Sequence, residues 1–212
     1  MRIGRYHIKM SVSNDVVFAT AGRDPGSRAP APGSLRLIQA LVNTLSVEAE
    51  RDLLGTAAEA AGWLQAAGLL PAGSPLTSAE HRAVVEVREA IRQVLATHTA
   101  GREDAAAARR LTWALACCRL TPAIDPAGGV RLVSADHEPV ARAIGGVAIA
   151  IAEAGAAGRW ARLKSCPGHL CGWAFYDRSA SARARWCSMQ LCGARSKMRA
   201  YRDRQAEPQA LR

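Results

Sequence analysis

Apolar residues recur along this chain mainly at helical spacing. Leu37, Leu41 and Leu45 repeat every four residues with Ile38 and Val42 beside them, which predicts an amphipathic helix over 35–49. Thr56 is placed to cap a second helix, AAEAAGWLQAA, and Gly68 to end it. Thr77 and Glu80 have the spacing of a capping box, and Val84, Val87, Ile91, Val94 and Leu95 line one side of the helix that follows. A further helix is expected from about Glu103 to Cys117. The segment TPAIDPAGGVRLVS breaks the rhythm: DPAGG reads as a turn between two short β-like runs, hence a hairpin. Helical spacing returns from about His137 to Arg162, with Val140, Ile144, Val147 and Ile151 as the stripe. Residues 1–33 are irregular, with GRDPGSRAPAPG as loop and a short strand over 16–21. The stripes are core positions, no segment repeats internally, and the expected fold is mainly α with one β-hairpin.

Composition narrows the class. A hydrophobic fraction of 49% suits a folded chain, and 212 residues hold one large domain, or one domain with a small appendage. The N-terminus lacks an apolar core followed by a cleavage site, and the longest uncharged apolar run, AIGGVAIAIA (143–152), is about half of what spans a bilayer. No membrane association is therefore read, and the cytoplasm is the expected location. No P-loop, GxSxG or paired His–acid motif is present, so neither an enzyme nor a small-molecule substrate is expected. His81, His98 and His137 stand isolated, and the adjacent Cys117 and Cys118 are expected to be buried small hydrophobes.

Charge is concentrated at one end. Residues 159–212 carry twelve Lys/Arg against three acidic residues, +9 of the total +10, which leaves the rest of the chain close to neutral. A localised excess of this kind implies a polyanionic partner. The same quarter holds Cys166, Cys171, Cys187 and Cys192, spaced C-x4-C, fifteen residues, C-x4-C. Two cysteine pairs on two tight turns supply four soft ligands for a tetrahedral ion, and Pro167, Gly168, Gly172 and Gly193 favour those turns. One structural Zn2+ per chain is the reading; a disulfide pair, an iron–sulfur cluster, or His169 replacing one cysteine are the alternatives. Four cysteines close the coordination sphere, and the cluster contains no glutamate, so a deaminase-type catalytic zinc is not indicated. Between the pairs, Trp173 and Phe175 alternate as in a short strand, and with Trp186 they would form a small core over the metal.

At these residues the chain resembles the CGNR zinc-finger family of bacterial proteins. The match runs through C-x4-C-GW-x-F-x-D-x-S and R-x-WCSM-x2-CG-x-R-x-K, from Cys166 to Lys197. Upstream, LVNT (41–44) and DLL…AAGWLQAAGLL are similar to the helical ABATE-type domain that accompanies this finger. The resemblance implies four cysteines on zinc, a mainly helical body and a nucleic-acid-binding, transcription-regulating role, with DNA favoured over RNA. One position departs: the chain reads CGAR, with Ala194 where the family's name motif has Asn.

The resulting partition is an irregular segment 1–33, a helical domain 34–160, a zinc-ribbon or treble-clef-like four-cysteine module with a basic helix at 161–206, and a tail 207–212. On that last helix Arg195, Arg199 and Arg202 share a side, Lys197 and Arg204 lie on others, and Ala194, Met198 and Tyr201 are expected to pack on the finger. These five basic residues, with Arg183 and Arg185, are the candidate nucleic-acid contacts. A rival account has Arg178, Arg185 and Arg195 neutralise the net −2 of a zinc tetrathiolate. The other expectations are a homodimer formed through the helical domain and, as alternative functions, RNA binding or a protein adaptor that docks on an acidic partner.

Overall fold

A 23-residue helix forms the pillar of the molecule, which the computed structural model describes at residues 18–20, 24 and 26–206. Counting in chain order, the elements are α1 (Leu35–Val42), β1 (Leu45–Ser46), β2 (Arg51–Asp52), α2 (Ala57–Ala66), the pillar α3 (Ser78–Ala100), α4 (Ala105–Leu115), β3 (Leu120–Ile124), β4 (Val130–Ser134), α5 (Pro139–Ala156), a 3-10 turn (Trp160–Arg162), β5 (Leu163–Ser165), β6 (Ala174–Tyr176), a π turn (Met189–Gly193) and α6 (Ala194–Ala206). Among the described residues the strands form three separate two-stranded antiparallel sheets, β1–β2, β3–β4 and β5–β6. The fold is mainly α with a small cysteine-bearing module. Of the strand expected over 16–21, residues 18–20 carry no strand and the remainder lies outside the described residues, as does the tail 207–212.

The capping box is formed: the Thr77 hydroxyl accepts from the Glu80 N–H, and the Glu80 carboxylate accepts from the Thr77 N–H. The Thr77 hydroxyl, which also donates to the Glu80 carboxylate, and then the Thr77 N–H hold the Glu80 carboxyl below its ordinary pKa. The Thr56 hydroxyl caps α2 by accepting from the Glu59 N–H. Val84, Val87, Ile91 and Leu95 face a core shared with Leu37, Ile38, Leu41 and Val42 of α1 and with Val140, Ile144 and Val147 of α5. By length and composition α5 could cross a membrane, but half of it is buried inside the protein.

Two expected helices are shorter than their apolar patterns. α1 stops at Val42 because Asn43 and Thr44 turn to other partners: both amide groups of Asn43 bond the Ala174 backbone, and the Thr44 hydroxyl donates to the Leu41 carbonyl. Leu45 then continues the apolar spacing from within the β1–β2 hairpin. α5 ends at Ala156, where the Arg159 N–H folds back to the Ala154 carbonyl, so 160–162 form a separate 3-10 turn. Cys117 and Cys118 also depart from expectation. The buried side of α4 is Ala107, Leu111 and Ala114; the helix ends at Leu115, which leaves Cys117 exposed and Cys118 half-buried in the turn beyond.

The β3–β4 hairpin is present, and its outer face is apolar: Ile124 and Val130 pair across it at 72% and 69% exposure, with Leu120 and Leu132 beside them. Inside the molecule, β5 packs on α3 and its sheet joins the main core through Leu163, Ala174 and Tyr176. Because successive side chains of a strand alternate faces, Trp173 and Phe175 point the other way, into a second small cluster with the four cysteines. One strand thus divides two cores, and this fixes the finger to the body.

Candidate metal centre and basic helix

The first cysteine pair lies on the turn that follows β5. The Cys166 N–H bonds the Trp173 carbonyl at 2.9 Å and the Cys171 N–H bonds the Gly168 carbonyl at 2.9 Å, closing the loop. A side chain at Gly168 would meet the Cys192 sulfur at 3.2 Å, and Gly172 has φ +59°, so the turn needs glycine at both positions. The second pair brackets the π turn. There the Ser188 hydroxyl accepts from the Leu191 N–H and the Gly193 N–H returns to the Ser188 carbonyl.

These turns bring all four sulfurs within 4.8 Å of one another, buried. Cys187 Sγ lies 3.7 Å from Cys171 Sγ and 3.6 Å from Cys192 Sγ. A tetrahedral ion with metal–sulfur bonds of about 2.3 Å sets sulfur–sulfur edges near ~3.8 Å, so the donors fit. The separations rule out disulfides, which need about 2.05 Å, and all four cysteines are free. Sulfurs this close leave room for a single ion and not for a multi-iron cluster. His169 is exposed on the first loop and is not among the clustered donors.

Four ionised sulfurs cannot share this space without a cation. Hydrogen bonds from Cys171 and Cys187 favour the Cys166 thiolate, lowering that group to about 2. The same bonds hold the protons on the other partners: Cys171 is pushed up to about 12 and Cys187 far above the thiol range. Cys192 is raised chiefly by burial. A divalent ion would remove the conflict by accepting all four as thiolates.

The body grips the centre through residues that no sequence spacing marked. Arg28 donates to the Cys187 carbonyl at 2.7 Å and the Trp186 carbonyl at 3.1 Å, and its guanidinium lies 5.2 Å from the Phe175 ring centroid. Arg92 donates to the Gly172 carbonyl and to the Val42 carbonyl that ends α1, each at 2.7 Å, and Glu89 holds it in place. His98 and Thr99 of α3 donate to the Leu163 and Ser165 carbonyls of β5. Burial pushes the His98 pKa down and so favours the neutral ring. Replacing Arg92 by methionine keeps the aliphatic stem but leaves two carbonyls unpaired. We expect a loss of about 2–4 kcal/mol and faster metal release to a chelator, measured by denaturant unfolding and by the kinetics of metal capture.

The basic residues sort differently. Arg183 and Arg185 are exposed on the loop before Cys187, Arg185 against Trp186. Arg195 pairs with Glu48 at 2.7 Å, both exposed. Arg178 bonds the Pro30 carbonyl and stacks over Tyr176, so it is held by the body rather than by the sulfurs. Lys197, Arg199, Arg202 and Arg204 are exposed along α6. The expected packing of Ala194, Met198 and Tyr201 on the finger does not occur. Met198 and Tyr201 are 53% and 54% exposed and Ala194 is exposed too, so none of the three is buried against the finger.

Compared with known families, residues 162–205 match the one described as CGNR zinc finger, and residues 35–162 match ABATE, described as "putative stress-induced transcription regulator". Neither description is that of an enzyme. No curated protein matches the chain.

Proposed function

Since the chain belongs to the ABATE family and carries a CGNR zinc finger after that domain, we propose that it is a zinc-dependent transcription regulator whose α6 reads DNA. In this reading Cys166, Cys171, Cys187 and Cys192 hold one Zn2+ per chain, which supplies no reaction and fixes the two turns from which α6 starts. The single observation that carries the proposal is the state of α6: every residue described on it except the half-buried Ser196 is exposed, and it bears five basic groups against one acidic.

The geometry of the charges favours a groove. Thirteen residues make a rod about 20 Å long, narrow enough for the major groove of DNA. At 100° per residue, Arg195, Arg199 and Arg202 form one row, and Lys197 and Arg204 lie on the opposite side. Met198 and Tyr201 fall between the rows, where base edges would meet them while the rows reach the flanking phosphates. Arg183 and Arg185 extend the cationic surface along the loop. Ala194 begins the helix in solvent, so the departure from the family's Asn alters a contact surface and not the fold. On the body, a second copy would cover the apolar outer face of β3–β4.

The expected result is binding that weakens steeply with salt. The triple variant Arg195, Arg199 and Arg202→Ala should bind at least tenfold more weakly to DNA selected from a random pool, and its log–log salt slope should be shallower by about 2.7. Fluorescence anisotropy over a salt series checks this; equal affinity and slope in the variant would remove the helix from the role. A second reading rests on the exposed Leu170, Met189, Leu191, Met198 and Tyr201. If the same assay shows no nucleic-acid binding, these residues point to a protein adaptor, and preferential selection of RNA would change the polymer.

A further inference from the structure

Leu170 sits in the loop between Cys166 and Cys171, where the Cys171 N–H returns to the Gly168 carbonyl at 2.9 Å and closes a tight turn. Its φ is +60°, in the left-handed region, at the position of such a turn that favours glycine or asparagine. A bulky side chain is a steric outlier there. Gly172, two residues on, meets the same backbone demand at φ +59° with glycine. Packing does not offset the strain: Leu170 is 56% exposed and belongs to neither buried cluster among the described residues. Strain held at an exposed side chain points to a use outside the fold.

The setting selects the partner. From residue 154 to 202 the chain has one acidic residue, Asp177, and it is fully buried. Arg183, Arg185, Arg195, Lys197, Arg199 and Arg202 are exposed over the same span, with Glu48 of the body meeting Arg195. The Leu170 loop lies against the root of α6: a side chain at Gly168 would meet the Cys192 sulfur at 3.2 Å, and α6 begins at Ala194. An apolar tip within a span that exposes cations and no carboxylate suits a polyanion that also admits apolar insertion, as DNA does between adjacent base pairs. We propose that Leu170 is a wedge: with α6 on DNA, the leucine enters a base step at the end of the footprint, unstacks it and bends the duplex. This rests on the DNA reading of α6 and deepens it. The cations meet phosphates, which are alike in every sequence, whereas a wedge favours the steps that unstack easily, TA and CA/TG. Part of the sequence preference then comes from a residue that makes no hydrogen bond to a base.

The test uses the full chain loaded with zinc and duplexes selected from a random pool, labelled at both ends for energy transfer. Wild type should bend the bound duplex by about 20–90°, and the selected sites should hold a pyrimidine–purine step at one edge. Leu170→Gly should melt within a few degrees of wild type or higher, because glycine suits φ +60°. It should leave the bound duplex straight and bind about tenfold more weakly. Its log–log salt slope should match wild type, since no phosphate contact is lost. Leu170→Met, which keeps an apolar side chain of similar size, should retain the bend. Straight DNA under wild type, or an equal bend under Leu170→Gly, overturns the wedge while the reading of α6 stands. A Leu170→Gly variant that unfolds or melts far below wild type also overturns it, because the side chain would then be holding the loop. If no duplex is bound at all, both readings fall, and Leu170-dependent binding to vesicles of anionic phospholipid would put a lipid surface in their place.

Discussion

Removing the metal, by a strong chelator or by Cys187→Ser, is expected to melt α6 and the π turn and to lower the melting temperature of the body by about 10–20 °C. The reasoning begins with how little else holds that part together. The small core around the cysteines contains two buried rings, Trp173 and Phe175, with Ala184 and Trp186 half-buried against them. Structural zinc in small peptides contributes an apparent ~10–16 kcal/mol, which is folding energy where no site is preformed. Here part of the site is preformed: β5 and β6 are tied to α3 and α1 through His98, Thr99, Gln39 and Asn43, and Leu163, Ala174 and Tyr176 belong to the main core. The loss should therefore be a fraction of the peptide figure, roughly 5 kcal/mol, at about 2–4 °C per kcal/mol for a chain of this size. Hydrogen exchange separates the two regions. Amides of 188–206 should lose protection on chelation, while those of β5 and β6 keep most of theirs. Equal protection with and without metal, at an unchanged melting temperature, would show that the four sulfurs do not carry this end of the fold. Elemental analysis of protein prepared under reducing conditions checks the ion itself: one equivalent of zinc is expected, and a single iron on the same sulfurs would change the identity but not the architecture.

How far the sequence disclosed this arrangement follows from the range of each interaction. Helix α3 was legible because its signals are local: Thr77 and Glu80 lie three residues apart, and its apolar stripe obeys a 3.6-residue period. The cysteine cluster was legible for a similar reason, since donor type and spacing specify the turns that bring sulfurs together. The end of α1 was not, because what stops it is the Ala174 backbone, 131 residues away, which takes both amide groups of Asn43. Arg28 and Arg92 were invisible for the same reason. Each reaches a carbonyl of the metal loops across 80 or more residues, and an arginine outside a cysteine motif has no spacing to announce it. The exposure of Met198 and Tyr201 shows the limit of periodicity: it identifies a shared side of a helix, but not whether anything packs against that side.

The loop between the two cysteine pairs should depend on a single carboxylate, so that Asp177→Ala destabilises the protein by about 3–5 kcal/mol. Asp177 is fully buried, 0% exposed, and accepts from the Lys164 ammonium at 2.8 Å, the Ser179 N–H and hydroxyl, and the Ala184 N–H. Lys164 in turn donates to the Ala182 and Ala184 carbonyls. Truncating the carboxylate leaves a buried ammonium without its counter-charge and three donors without an acceptor, the situation in which breaking a buried pair is most damaging. Lys164→Met should cost less, because Asp177 retains three donors. A larger effect at position 164 would place the centre of the network on the lysine. The pH dependence is equally specific. Burial raises the Asp177 carboxyl, but the Lys164 and Ser179 bonds outweigh it and hold the group at about 2. A carboxylate lowered on folding stabilises fully above its ordinary value near ~3.9 and loses that contribution only as pH falls from about 4 to 2. The difference between wild type and Asp177→Ala, measured by urea unfolding of the metal-loaded protein, should therefore stay flat from about pH 8 to pH 5. A difference that shrinks across that range would mean the carboxylate takes up protons far above the value its hydrogen bonds dictate, and the loop that positions Cys187 would need another support.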